Sequence, residues 1–258
     1  MTSAAILTAT PASVRTRTPS RWAAAPTGIP IGGRDRFLDL IRVLAIAAVV
    51  LQHWALPAMQ FRDGQVIVSN ALQTPGSQLV TWISQIMPLF FFAGGAANVV
   101  SWQSAQRRGK TASAWLSVRV GRLSFPVLAV AALWIPLPYL LDILGAPAGP
   151  VNDATFWVAR VLWFLPVYLM CVAATPLAGW LAARKPVATL VALVGGAVLV
   201  ELLRLSVSES FGYANLVFVW LAIHQVGVLY ANGQLHFLTP KRSAVIAAGA
   251  YATVAALV

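Results

Sequence analysis

The chain has 258 residues, 59% of them hydrophobic and 10% charged, and its mean hydropathy is +0.77. Soluble domains carry about 25% charged residues, so this composition excludes an ordinary soluble domain and indicates a membrane protein. A net charge of +11 would suggest nucleic acid in a soluble chain, but here the basic residues fall in short connections between apolar runs, which removes that class.

The first acidic residue is Asp35. The segment before it is rich in Ala, Thr, Ser, Pro and Arg and has no sustained apolar core, which argues against a cleaved signal peptide. Its acid-free, Arg-containing make-up resembles an organelle transit peptide, but the simpler reading of residues 1–33 is a disordered cytoplasmic tail.

A spanning helix needs about 20 mostly apolar residues. Such runs occur near 38–57, 79–101, 123–144, 160–182, 186–204 and 213–231, and a seventh begins near Ser243 and stops at Val258. The expected fold is all-α: a polytopic transmembrane bundle over residues 34–258 with six full spans and a seventh partial one, incomplete at its C-terminal end. Basic residues concentrate in alternate connections: Arg15, Arg17, Arg21, Arg34 and Arg36; Arg107, Arg108, Lys110, Arg119 and Arg122; Arg184 and Lys185; Lys241 and Arg242. Basic loops stay in the cytoplasm, so the N-terminus is expected inside. Trp54, Trp102, Trp157 and Trp180 fall near expected span ends, where an interfacial aromatic belt would lie. The lone Cys171 lies within an apolar run and reads as a packing residue, with no disulfide framework.

The first run, LDLIRVLAIAAVVLQHWALP, carries Asp39, Arg42 and His53. Eleven positions separate Arg42 from His53. At about 100° per residue they return to within about 20° of one face, and at about 1.5 Å rise they stand about 16 Å apart along the axis. Ionisable groups at such depth are costly and usually face a bundle interior or watery cavity. The stripe therefore either lines a passage, or Arg42 snorkels to the interface with Asp39 one turn away while His53 sits at headgroup level.

Further along, Gly94 and Gly95 follow Phe90–Phe92 and either permit close helix packing or open space beside the first helix. Arg119 and Arg122, at i and i+3, share one helical face at the expected cytoplasmic entrance, as anchors of the third span or as a phosphate clamp. Pro166 is expected to kink the fourth span. Glu201 and Arg204 read as an ion pair near the outer interface, with Glu201 alternatively facing an acceptor or orienting His53. His224 lies midway along the sixth span, where a buried imidazole is usually a packing element, and it stands as a minor acceptor-side candidate. His236 falls in a connection and carries no functional reading. No metal-ligand spacing, phosphate-cradling glycine loop or G-x-S-x-G elbow is present.

These stretches carry a family resemblance. The Arg42/His53 pair preceded by Leu38-Asp39, MPLFFFAGGAAN at 87–98, RVGR at 119–122, LWFLPVYL at 162–169 and WLAIHQVGVLY at 220–230 together resemble the bacterial membrane-bound acyltransferase 3 family, which includes O-acetyltransferases of sugars and polysaccharides. The resemblance covers roughly residues 34–232 and departs from the family at Gly94, where many members carry Ser. The family's membrane domain commonly has more helices than are read here.

The resemblance implies transfer of an acyl group, expected to be acetyl, from cytoplasmic acyl-CoA to a hydroxyl of a carbohydrate or lipid-linked acceptor near the outer face. The partners are then the bilayer, acyl-CoA and that acceptor, with no nucleic acid and no metal. His53 is expected as the general base, since an imidazole with a pKa near 6.5 accepts protons at neutral pH. Arg42 would line the donor passage, Arg119 and Arg122 would hold the CoA phosphates, and Gly94 and Gly95 would leave room for the pantetheine arm. Richness in Ala, Val and Arg with only three lysines points to a high-GC bacterium and its plasma membrane. The competing readings are a transporter or flippase using the Arg42/His53 stripe for a charged solute, and a catalytically silent fragment.

Overall fold

The computed structural model describes residues 35–55, 57–62, 65–71, 77, 86–145 and 162–257. Residues 1–34, and with them the expected tail, lie outside the described residues, as do Trp157, Arg160 and the start of the fourth expected span.

Helix α1 (Arg36–Ala55) begins where Asp35 caps it: Oδ1 accepts hydrogen bonds from the backbone N–H of Phe37 (2.8 Å) and Leu38 (3.2 Å). Its buried face is Leu38, Ile41 and Ala45, spaced for one helical stripe. The fold is all-α as expected, with one addition after α1, where β1 (Pro57–Arg62) and β2 (Gln65–Asn70) form an antiparallel hairpin in register from Pro57↔Asn70 to Arg62↔Gln65. An Asp-Gly pair separates the strands in sequence and the second strand reads QVIVSN, a hairpin signal that a search for long apolar runs passes over.

Helix α2 (Ile86–Arg107) is the most buried element and makes its most extensive contact with α7 (Asn215–Ala231). It closes on Gly109 at φ 71°, with Lys110 N–H donating to the Ala105 carbonyl (3.0 Å). Helix α3 (Ala112–Trp134) starts well before the expected span because the Thr111 side chain caps it, accepting from Ala114 N–H at 3.3 Å. Arg119 and Arg122 thus lie inside a helix, as their reading as neighbours on one helical face requires, although the hydropathy count groups them with the connection before it. After α4 (Leu137–Ile143) the described chain resumes before α5 (Phe164–Arg184). Pro166 falls in the first turn of α5, where its missing N–H has no helical acceptor, so the expected kink there is not supported; the interior prolines are Pro126 in α3 and Pro176 in α5.

Helix α6 (Pro186–Ser206) follows α5 after a single residue, with proline at its first position. A short 3-10 turn (Glu209–Ala214) leads into α7, and α8 (Pro240–Leu257) follows. Among the described residues five helical stretches are long and apolar enough to cross a membrane: Arg36–Trp54, Ala112–Ile143, Phe164–Arg184, Pro186–Ser206 and Glu209–Ala231. Helix α2 is not one of them, since Asn98, Ser101 and Gln103 dilute its hydropathy, yet it fills the centre against α1, α5 and α7.

Small residues bring α2 and α7 together. A Cβ added at Gly95 would overlap the His224 carbonyl, and one at Gly227 would overlap the Phe92 carbonyl. Lipid tails are as apolar as the helix faces, so this close backbone approach and polar contacts between helices hold such a bundle. Gln225 Nε2 donates to the Ala178 carbonyl (3.2 Å), Gln234 Nε2 to the Ala182 carbonyl (2.8 Å) and Gln103 Nε2 to Asn232 Oδ1 (3.0 Å). At the start of α1, the Tyr230 hydroxyl donates to the second oxygen of Asp35 at 3.0 Å and ties that end to α7.

Candidate active site

Two of the most deeply buried polar groups meet beside Arg119, where α2, α3 and α7 converge. Asn98 of α2 and His224 of α7 are both 0% exposed. Arg119 of α3 donates from Nη1 to Asn98 Oδ1, and Asn98 Nδ2 faces His224 Nε2 at 3.5 Å. The Tyr168 ring of α5 packs beside this pair, against Phe91 with ring centroids 5.7 Å apart. The Arg119 guanidinium lies over the Trp115 ring, 5.1 Å from its centroid, and Trp115 in turn donates from Nε1 to Ser101 Oγ at 3.1 Å. Arg119 is thereby held edge-on by an amide and face-on by an indole.

Arg42 reaches this region from α1. Its Nη2 lies 3.5 Å from the Ala93 carbonyl, its Nη1 lies 3.7 Å from Asp39 Oδ1, and it stands within electrostatic range of Arg119 and Tyr168. Arg122 is exposed but also within range of Arg119. Arg42 and Arg122 thus each lie within electrostatic range of Arg119, and Arg119 has no carboxylate partner among the described residues.

His53, at the other end of α1, is exposed. Its Nδ1 lies 2.7 Å from the Val49 carbonyl one turn earlier; a carbonyl only accepts, so this nitrogen carries a proton, and in the neutral ring the lone pair is on Nε2. The described residues set Arg42 against α2 and leave His53 outside the packed helices, so they do not enclose the two in one channel. Gly94 and Gly95 lie at close contacts between helices. A Cβ at Gly94 would lie 2.7 Å from the Tyr168 ring, and the space at Gly95 holds the His224 carbonyl. Both glycines make room for the protein's own atoms, as the packing alternative has it.

Glu201 is bonded to Arg204 and Asn215. Oε1 accepts from Arg204 Nε (3.0 Å) and Nη2 (2.5 Å), and Oε2 accepts from Asn215 Nδ2 (3.2 Å). The expected ion pair is present and Glu201 does not orient His53. Trp102, expected in an interfacial belt, is 8% exposed and packs on Trp115 with ring centroids 5.6 Å apart. Among the described residues no group of three or more His, Cys, Asp and Glu side chains is placed to hold a metal ion.

Two members of the cluster, Asn98 and Tyr168, were not singled out by sequence reasoning. The signal was present: Asn98 ends the MPLFFFAGGAAN segment, and an amide in an apolar helix needs a buried partner.

Compared with known families, residues 35–258 match the family model described as an acyltransferase domain, Acyl_transf_3. The chain belongs to the acyltransferase 3 family. It is therefore an acyltransferase of the O-acyltransferase type, and its several long apolar helices make it a multi-pass membrane acyltransferase. No curated protein and no solved structure matches it.

Proposed function

We propose that this acyltransferase moves an acyl group, acetyl in the first instance, from acyl-CoA on the cytoplasmic side to a hydroxyl of a carbohydrate or lipid-linked acceptor near the outer face of a bacterial plasma membrane. The observation that carries the reading is that Arg42 and Arg122 each lie within electrostatic range of Arg119 at one end of the bundle, with His53 at the opposite end of α1. Donor phosphates need several cations, while the reacting thioester lies at the far end of a long pantetheine arm. The separation of about 16 Å between Arg42 and His53 along α1 suits those two ends of one extended donor.

In this reading Arg119 and Arg122 hold the phosphates and Arg42 lines the way to the reacting end. His53 takes the proton of the acceptor hydroxyl on Nε2, and the hydroxyl oxygen attacks the thioester carbonyl. The carbon–sulfur bond then breaks, and the proton leaves with the CoA thiol. The hydrogen-bonding geometry of Nδ1 with Val49 supports His53 in this role, because it fixes which nitrogen is basic. His53 lies in the last turn of α1, at the end expected to face an acceptor outside.

The test is transfer from labelled acetyl-CoA by membranes containing the full chain. His53→Ala, inserted at wild-type level, is expected to lose transfer by at least about a hundredfold, the usual range for a general base. Retained turnover would remove His53 from the mechanism, and solute movement without release of CoA would favour a transporter.

A further inference from the structure

We infer that Asn98 and His224 are positioning residues for Arg119, a two-helix support that aims its guanidinium at an anionic donor without cancelling its charge. The inference rests on the reading of Arg119 as a donor-phosphate group.

Arginine has only donors, so the Asn98 amide must turn its oxygen to Arg119. Its NH2 group then faces His224 Nε2, which must carry a lone pair. His224 is thereby specified as the neutral tautomer with its proton on Nδ1. That Nδ1 is buried and has no hydrogen-bond partner among the described residues. Such an arrangement is costly for mere packing, since an unpartnered buried donor loses its hydration for nothing in return. It is intelligible if Nε2 is the atom that matters, holding the amide in one orientation. A carboxylate at position 98 would grip Arg119 more firmly but neutralise it. The amide leaves the positive charge available, and Trp115 restrains the other face of the guanidinium.

Four variants in the full chain test this through the KM and kcat for acetyl-CoA in membranes. Asn98→Asp keeps shape and acceptor but adds a neutralising charge, and should raise KM about tenfold with kcat little changed. His224→Leu removes the acceptor that orients Asn98 and should raise KM similarly. His224→Gln can offer a carbonyl oxygen near the Nε2 position and should keep KM near wild type. Arg119→Gln should raise KM at least as far as the other variants.

A purely structural His224 would lower stability and the amount of active enzyme without moving KM. Unchanged KM in His224→Leu or Asn98→Asp, or His224→Gln as damaging as His224→Leu, overturns the positioning role. If His224→Leu does not accumulate, the isosteric Asn98→Asp alone decides. Raised KM in Arg119→Gln with no effect of the other variants rejects the support while the donor reading stands. Unchanged KM in Arg119→Gln, or no saturable use of acetyl-CoA by the wild type, rejects the donor reading and this inference with it.

Discussion

At the level of single residues, the glycines of α2 and α7 show how little tolerance the bundle centre has. The α-carbon hydrogens of Gly95 and Gly227 face backbone carbonyls of the opposing helix, so any side chain there must push two helix axes apart. Gly95→Ala is expected to destabilise the protein by about 1–3 kcal/mol, the range for overpacking a well-filled core. Gly195 on α6 has nothing within 4 Å of an added Cβ. Gly195→Ala should stay within about 0.5 kcal/mol of wild type. Thermal unfolding of the two variants in the same detergent compares them directly, and equal losses would contradict the α2–α7 contact. Legibility differs at this scale too. The sequence marks Arg42 and His53 as costly groups in an apolar run and Arg119 as a basic group at a span entrance, but it does not say which partners each one has. From the sequence His224 is a packing element or an acceptor-side group, and its neighbour Asn98 lies 126 positions away in the chain.

Helices were legible as apolar runs, while their ends are set by caps that a hydropathy reading passes over. Asp35, Thr111, Gly109 and Pro186 each mark a helix boundary with a local chemical reason. Hydropathy alone places the start of α3 too late, because the span criterion discounts the charged first turns that Thr111 nonetheless caps into a helix. The hairpin was missed because its strands are shorter than any span. The α6–α7 corner supplies a prediction at this scale. Glu201 is shared between Arg204 on its own helix and Asn215 at the start of α7, so it braces the corner. Glu201→Gln should lower the thermal midpoint slightly and leave the acceptor KM unchanged. A raised acceptor KM would instead restore its acceptor-facing reading.

For the whole molecule, the partition of basic residues between alternate connections fits Arg184, Lys185, Lys241 and Arg242 on the cytoplasmic side and the turn before α7 outside. The native Cys171 is 0% exposed and should stay silent to a membrane-impermeant thiol reagent. In intact cells Ser208→Cys is expected to react, whereas His236→Cys should react only after the membrane is opened. The reverse pattern would invert the orientation and move the three arginines to the outer face, away from a cytoplasmic donor.

The amino-acid sequence was sufficient for the membrane class, most helices, the basic ends and the family resemblance, because apolar run length, capping chemistry and charge bias act over a few neighbouring residues. Only the tertiary structure decided that Gly94 and Gly95 serve Tyr168 and His224, that Trp102 is internal, and that Asn98 joins Arg119 to His224 across three helices. Those outcomes depend on which helix faces meet. Between helices in lipid that choice is made by close packing and a few buried hydrogen bonds, and a linear pattern of hydrophobicity does not encode it.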